Sequence, residues 1–428
     1  MNKSHGIAAA VLLFLTSAVA QDKKASAQGE EQPSDLHYEI TVKDGRTLFH
    51  LGEAIEIEES YSANVPGKYL LLSLPEQVNG YPAQVKIKPA SGVIDRIQDN
   101  GKRNADSILQ SNCLYGHGSG IGSGCGDCDS RRPLSHSPIR LQFNLIRQYQ
   151  ITKPGHYMIQ TKAANVVRQP MQSSVPITLT SNTLEIDFIE DLQWSHEALA
   201  AAVEQFDQAQ AKYLFHGWDK LPTGQMRTEG IGERTNLEAE MQAAAEKMKL
   251  LDTEESLAEI VRRYDGANIS WDYYRYILYD GIIQSKHTSL AIDLLSERML
   301  QPDFWVSDQV IDQLTAMKLQ SEFPTALDSQ EASYQKQFYP AARRILHDYV
   351  LAVGKSLAKK NSDAYAPSLN AFNVYARQDY CIGKPLISKI EMQEMDQQIG
   401  ADQESPSRKP WLSNKQKTRK QCRLRVPL

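Results

Sequence analysis

The chain changes its hydrophobic rhythm once. From Tyr38 to about residue 190, apolar and polar residues alternate with period two in short runs: "YEITV", "AIEIEESYS", "KYLLLSL", "AQVKIKPA", "IRLQFNLI", "GHYMIQTKA", "VPITLTS" and "TLEIDFIE". That period turns one face of each segment to a core and the other to water, so each reads as a half-buried β-strand. Gly, Pro, Asn and Ser lie in the connections, and Val65-Pro66-Gly67 and Lys153-Pro154-Gly155-His156 are turn signals. A series of such strands with no helical period between them predicts an antiparallel, Ig-like β-sandwich over residues 37–191.

Near Trp194 the period becomes helical. In "SHEALAAAVEQFDQAQAKYL", Ser195 reads as the N-cap, and Ala198, Leu199, Ala202 and Phe206 share one face. A Gly- and Thr-rich loop, "HGWDKLPTGQMRTEGIGER", follows. Then come "NLEAEMQAAAEKMKLL", "TEESLAEIVRRY", "WDYYRYILYDGII", "HTSLAIDLLSERML" and "SDQVIDQLTAMKL", all of helical length. Thr253 is read as an N-cap with Ser256 at N3, a cap without a full capping box, and Ser307 caps the last of the five. "PAARRILHDYVLAVGKSLAKK" carries Pro340 in its expected first turn, where proline is tolerated, and "SLNAFNVYARQDYC" is the expected final packed helix. Short helices with short connectors predict an irregular HEAT-like stack over residues 192–390.

The ends differ from the middle. Residues 1–20 have the pattern of a secretory signal: Lys3, the apolar run "IAAAVLLFLTSAVA", and the small-x-small end Ala18-Val19-Ala20. They predict an exported chain, periplasmic or extracellular, with no membrane span after cleavage. Residues 21–36 are polar and predict a disordered leader. Residues 391–428 predict a disordered tail, in which eight Lys or Arg and no acid fall after residue 404. A length of 428 residues allows two or three domains, and a net charge of -5 implies no general attraction to nucleic acid.

The candidate chemistry lies in a Gly- and Cys-rich insertion spanning residues 100–137. Within it, "CLYGHGSGIGSGCGDCDS" holds Cys113, His117, Cys125 and Cys128. Three readings stand. Cys113, Cys125 and Cys128 form a disulfide or remain thiols in a flexible loop, as export favours. Alternatively, the four residues make a Cys3His zinc set, although one CxxC knuckle stands where strong zinc signals show two. In the third reading Cys125-Gly-Asp-Cys128 is a redox pair, but "DSRRPLSHSP" after it lacks the helix that would lower a thiol pKa. Metal content and a thiol count before and after reduction separate them. The glycines have neither the Gly-Lys-Ser nor the Gly-Lys-Thr that a P-loop needs.

Elsewhere, His196, His216, His287 and His347 are scattered along the helices and read as surface or cap residues, with His347 beside Asp348 on a helix face. Glu259 and Arg263 form an i,i+4 pair worth a few tenths of a kcal/mol. The aromatic run Trp271, Tyr273, Tyr274, Tyr276 and Tyr279 cannot lie on one helix face. About half of it is expected in the core and the others at a domain interface or a ligand surface, with Trp271, Tyr273, Tyr274 and Tyr276 as the candidates for a binding patch.

"LGEAIEIEESYS", "GKYLLLS" and "IRLQFNLIRQYQITKPGHYMIQTKAANVV" resemble the N-terminal sandwich of a group of exported bacterial proteins of acidobacterial type, in which a strand leads through a PGxY turn into the next. "LLDTEESLAEIVRRY", "YDGIIQSKHTSLAIDLLSERMLQPDFWVSDQVIDQLTAMKL" and "YARQDYCIGKPLIS" resemble its HEAT-like helical part. The likeness covers roughly residues 38–390. It implies fold and export, and transfers no catalytic residue.

Two function classes follow. The first is an exported, non-enzymatic binding or scaffold protein, without cofactor, that contacts a protein or envelope polymer through the helical stack or sandwich loops. The second is a metal-dependent or redox protein that uses Cys113, His117, Cys125 and Cys128.

Overall fold

Alternation along each strand decides which side chains meet. The computed structural model describes residues 30–72, 83–95, 131–169, 176–216, 231–267, 273–324, 332–376 and 386–401. Its strands are β1 (Glu30–Glu31), β2 (Leu36–Val42), β3 (Leu48–His50), β4 (Glu56–Ala63), β5 (Tyr69–Leu72), β6 (Ala83–Lys88), β7 (Val93–Asp95), β8 (Arg131–Pro133), β9 (Ile139–Asn144), β10 (Tyr149–Ile151), β11 (Gly155–Arg168), β12 (Ile177–Thr180) and β13 (Leu184–Ile189). One helical turn, α1 (Leu145–Gln148), interrupts them.

β11 is the spine of the larger sheet. Met158 pairs with Glu185 of β13 on one edge and with Lys88 of β6 on the other. Further along, Val166 pairs with Ile177 of β12 and with Leu71 of β5. Most pairings are antiparallel, but β1 with β12 and β13 with β3 are parallel. A second sheet, in the order β2-β4-β9, is wholly antiparallel. The inward rows of both sheets, among them Tyr38, Ile40, Ile57, Tyr61, Ile159, Leu179, Ile186 and Phe188, share one apolar cluster. Burying each such side chain contributes about 1.5–3 kcal/mol.

One inward position of β4 is a carboxylate. Glu59 falls between Ile57 and Tyr61 on the core face and is 1% exposed. Tyr38 donates to its Oε1 at 2.6 Å and Tyr61 to its Oε2 at 3.1 Å. The Tyr38 hydroxyl also meets Thr161 Oγ1 of β11 at 2.7 Å, and Asn165 Nδ2 donates to the Tyr61 hydroxyl at 3.3 Å. Burial pushes the Glu59 carboxyl above its ordinary value, and the two tyrosine bonds pull it partly back.

The helices are α2 (Leu192–Phe215), α3 (Ile231–Leu251), α4 (Glu254–Arg263), α5 (Tyr273–Ile283), α6 (Thr288–Arg298), α7 (Asp308–Glu322), α8 (Ala332–Ser356), α9 (Ser362–Ala376) and α10 (Lys389–Ala401). Their buried faces form a separate cluster that includes Phe206, Met241, Met248, Ile260, Leu278, Leu314 and Phe372. Among the described residues, no helix is long and apolar enough to cross a membrane.

Several local expectations change. The N-cap of α2 is Asp191, whose carboxylate accepts the Trp194 N–H at 3.0 Å. Ser195 lies one turn inside, with its hydroxyl bonded back to the Asp191 carbonyl. Thr253 and Ser256 do complete a capping box, because the buried Ser256 hydroxyl accepts the Thr253 N–H at 2.9 Å. Pro340 sits inside α8, which starts eight residues before it at Ala332. The expected leader gives way at Glu30, where β1 pairs with β12. β8, within the expected insertion, pairs with β5. Helix also continues beyond residue 390, to Ala401. Finally, the run "IRLQFNLI" is strand only to Asn144, whose side chain then caps α1.

A candidate binding cleft at the seam between strands and helices

The two apolar clusters meet between adjacent residues. Leu250 is buried in the strand cluster and Leu251 in the helical one. The C-terminus of α3 therefore lies in the seam, and the chain around it is adapted to close approach. Gly52, in the β3–β4 turn, has φ +84°, and a Cβ there would stand 2.8 Å from the Leu250 carbonyl oxygen. Only glycine meets both demands. Gly52→Ala is expected to cost about 2 kcal/mol in urea denaturation, through overpacking and left-handed strain.

Asp252 follows at φ 44° and is buried. Its carboxylate accepts bonds from the Gln150 side chain of β10, from Ser285 Oγ at 2.7 Å and from the Lys286 N–H at 3.2 Å. Its carbonyl oxygen lies 3.1 Å from His287 Nε2. One side chain thus joins β10 to the α3–α4 turn and the α5–α6 loop.

A second contact lies at the start of α2. The rings of His50 (β3) and Trp194 (α2) stack with centroids 4.5 Å apart and planes 5° from parallel. His50 Nδ1 is 3.1 Å from Glu53 Oε2, and Nε2 is 3.7 Å from Asp191 Oδ2. Arg46 pairs with Glu53 at 2.7 Å. Burial alone would raise the Glu53 carboxyl, but the His50 N–H, the Arg46 guanidinium and the His50 ring together hold it below its ordinary value.

Between strands and helices opens a cleft of about 130 Å³, lined by Arg147, Glu246, Lys249, Leu250, Tyr276, Ile277 and Asp280. Arg147 comes from α1, the next three from α3 and the last three from α5. Arg147 pairs with Glu246 at 2.5 Å, and Lys249 pairs with Asp280. The Gln284 side chain also donates to Asp280. The cleft therefore offers two ion pairs of opposite sense beside an aromatic and two aliphatic side chains. Of the two, Arg147–Glu246 is the part-exposed pair and can be exchanged for the charges of a ligand at little cost, whereas Lys249–Asp280 is largely buried and stays paired.

Of the aromatic run, Tyr276 reaches this cleft. Tyr274 does not belong to a surface patch: it is buried edge-on against Phe206, with centroids 5.8 Å apart, because its helical phase faces α2. Tyr279 is buried beside Tyr264. Tyr273 opens α5, while Trp271 lies outside the described residues, as do Cys113, His117, Cys125 and Cys128. Among the described residues, no three His, Cys, Asp or Glu side chains gather to hold a metal. The expected Glu259–Arg263 pair forms, and Arg263 also reaches Asp207 at 2.7 Å. His347 contacts Asp348 and Glu391, tying α8 to α10. His287 covers the Asp252 carbonyl, and His216 lies 3.4 Å from Glu233.

Two strongly shifted groups lie elsewhere. Lys360 donates to the carbonyls of Met299, Gln301 and Phe304 at 2.6–2.9 Å, closing the turn after α6, and burial lowers its ammonium to about 8. Asp312 of α7 accepts the Tyr375 hydroxyl of α9 at 2.6 Å, and burial raises its carboxyl to about 7. Both act as ties between helical segments.

Arg147, Glu246, Lys249 and Asp280 carried no sequence signal, since each occupies an ordinary polar position in its own element. Asp252 had a faint one, as the residue between "LL" and a strong cap. No family model, no curated protein and no solved structure matches the chain.

Proposed function

We propose that the chain is an exported binding or scaffold protein, in which an Ig-like sandwich carries a HEAT-like helical stack and a protein or envelope polymer is gripped at the cleft where the two meet. The observation that supports this reading is the composition of the cleft. Tyr276 and two opposed ion pairs are brought together from α1, α3 and α5, and the seam around them is pinned by Gly52 and Asp252. A pinned seam lets such a surface bind without first ordering itself, which lowers the cost of association. Helical stacks present extended surfaces of this kind. The signal-like N-terminus and the resemblance to exported proteins support the location.

The test is site-directed crosslinking in the full chain. A photo-reactive residue replacing Tyr276 is expected to form adducts in the envelope fraction, and Arg147→Glu to reduce them about fivefold, the ratio of a ~1 kcal/mol loss. Protease sensitivity of the adduct distinguishes protein from polymer. Equal labelling from a probe replacing Glu39, on the solvent face of β2, would defeat the assignment.

A further inference from the structure

Building on the cleft as the binding surface, we propose that its ligand group is a carboxylate, carried by a single glutamate side chain of a partner protein. Size sets the first limit. The cleft measures about 130 Å³. A cavity of roughly 150 Å³ holds one benzene, and sites that enclose larger ligands run to roughly 300–1,000 Å³. The cleft therefore admits one side chain, in the way an anchor residue fills a pocket at a protein interface. A run of linked sugar rings would need a longer groove.

Charge sets the second limit. The Lys249 and Asp280 side chains are 16% and 10% exposed, and Gln284 also donates to Asp280. A pair so buried is costly to part, so it stays closed and offers a ligand no net charge. In the other pair, the Arg147 side chain is 52% exposed and Glu246 21%. The guanidinium is thus the outer member, and the first charge an incoming group meets. A cation would have to pass it and take Glu246 from an N–H donor that bonds it at 2.5 Å. A carboxylate needs no such passage. The planar N–H fork of Arg147 matches it and accepts it in place of Glu246. Glu246, once displaced, keeps Lys249 as a neighbour three residues on, since both line the same cleft from α3. Leu250, Ile277 and the Tyr276 ring complete the lining and suit the two methylenes of a glutamate.

The probe is glutamate capped as its N-acetyl N-methylamide, titrated at millimolar concentration onto the full chain and read by saturation-transfer NMR at its side-chain methylenes. Transfer is expected, with capped glutamine binding about fivefold more weakly because its amide cannot make the charge-assisted bonds. Capped lysine and glucuronate, the carboxylate of a sugar polymer, are expected to bind more weakly than capped glutamate. Arg147→Gln should erase the preference for glutamate over glutamine. Glu246→Gln should do the opposite and tighten glutamate binding about two- to fivefold, by removing the competing carboxylate. A merely structural role for the pair would move both variants in the same direction. The comparison of capped glutamate with capped glutamine uses the wild-type chain, so it decides the matter even where a variant misfolds. Equal binding of the two, no transfer to either, or stronger binding of lysine or glucuronate overturns the assignment. Adducts that still form from the probe replacing Tyr276 would then keep the cleft as a binding surface for another group, whereas their absence strikes the cleft itself.

Discussion

Asp252→Ala is expected to lower stability by about 3–5 kcal/mol in urea denaturation, one of the two largest single-site effects in this chain. The substitution removes an acceptor shared by Gln150, Ser285 and the Lys286 N–H, and takes the partner from the buried Gln150 and Ser285 donors, one on a strand and one in the α5–α6 loop. Each orphaned buried group costs about 1–3 kcal/mol. Alanine is also disfavoured at φ 44°, by roughly 1 kcal/mol. Asp252→Asn separates the two causes. Asparagine tolerates the left-handed region but turns one accepting oxygen into a donor, so about half of the loss should remain. Because Asp252 joins β10 to the helical loops, hydrogen exchange is expected to rise at the start of α4 and in the α5–α6 loop while the centre of β11 stays protected. A loss below 1 kcal/mol for the alanine variant would show that the seam is held by its apolar contacts alone.

The second large effect is expected at Glu59. Glu59→Ala leaves a cavity between the sheets and removes the acceptor of two buried tyrosine hydroxyls, at an expected cost of about 3–4 kcal/mol. Glu59→Gln keeps the volume and one carbonyl acceptor, and should cost far less. It also exposes the pH dependence. Burial raises the Glu59 carboxyl in the folded chain, so between the ordinary glutamate value and this raised one the folded state keeps a proton that the unfolded state has released. Stability from this group is therefore full below that window, falls as pH rises through it and is level above it. Measured as the difference between the wild type and Glu59→Gln, stability should decline with rising pH. The opposite slope would mean that the tyrosine bonds outweigh burial. The difference is needed because Glu53 and Asp303, held low by bonded partners, favour folding as pH rises.

Much of the local structure was legible because it depends on neighbours in sequence. Period-two runs became strands, and period-3.6 runs became helices from Leu192 onward. Ser307 caps α7 as its type and position require, through Val310 N at 3.3 Å. Local reasoning erred where a longer-range demand outweighed it. Helix α2 starts at Asp191 instead of Ser195 because β13 ends two residues before that aspartate and Trp194 must reach His50. Tyr274 was expected in a binding patch, yet its place in the helical phase buries it on Phe206.

The seam and its cleft belong to the tertiary structure alone. Arg147 and Glu246 are 99 residues apart, and Gln150 and Asp252 are 102 apart, so no spacing rule connects them. Glu59 illustrates the same division. Its phase on β4 was readable as inward, but a carboxylate is tolerated there because β2 brings the Tyr38 hydroxyl to it, held from behind by Thr161 of β11, beside the Tyr61 hydroxyl. The sequence by itself determined where the backbone would extend and where it would coil, since that follows from side-chain period and caps. Only the tertiary structure decided which polar groups would meet, because a buried hydrogen bond or ion pair requires an exact partner that chain folding alone can deliver.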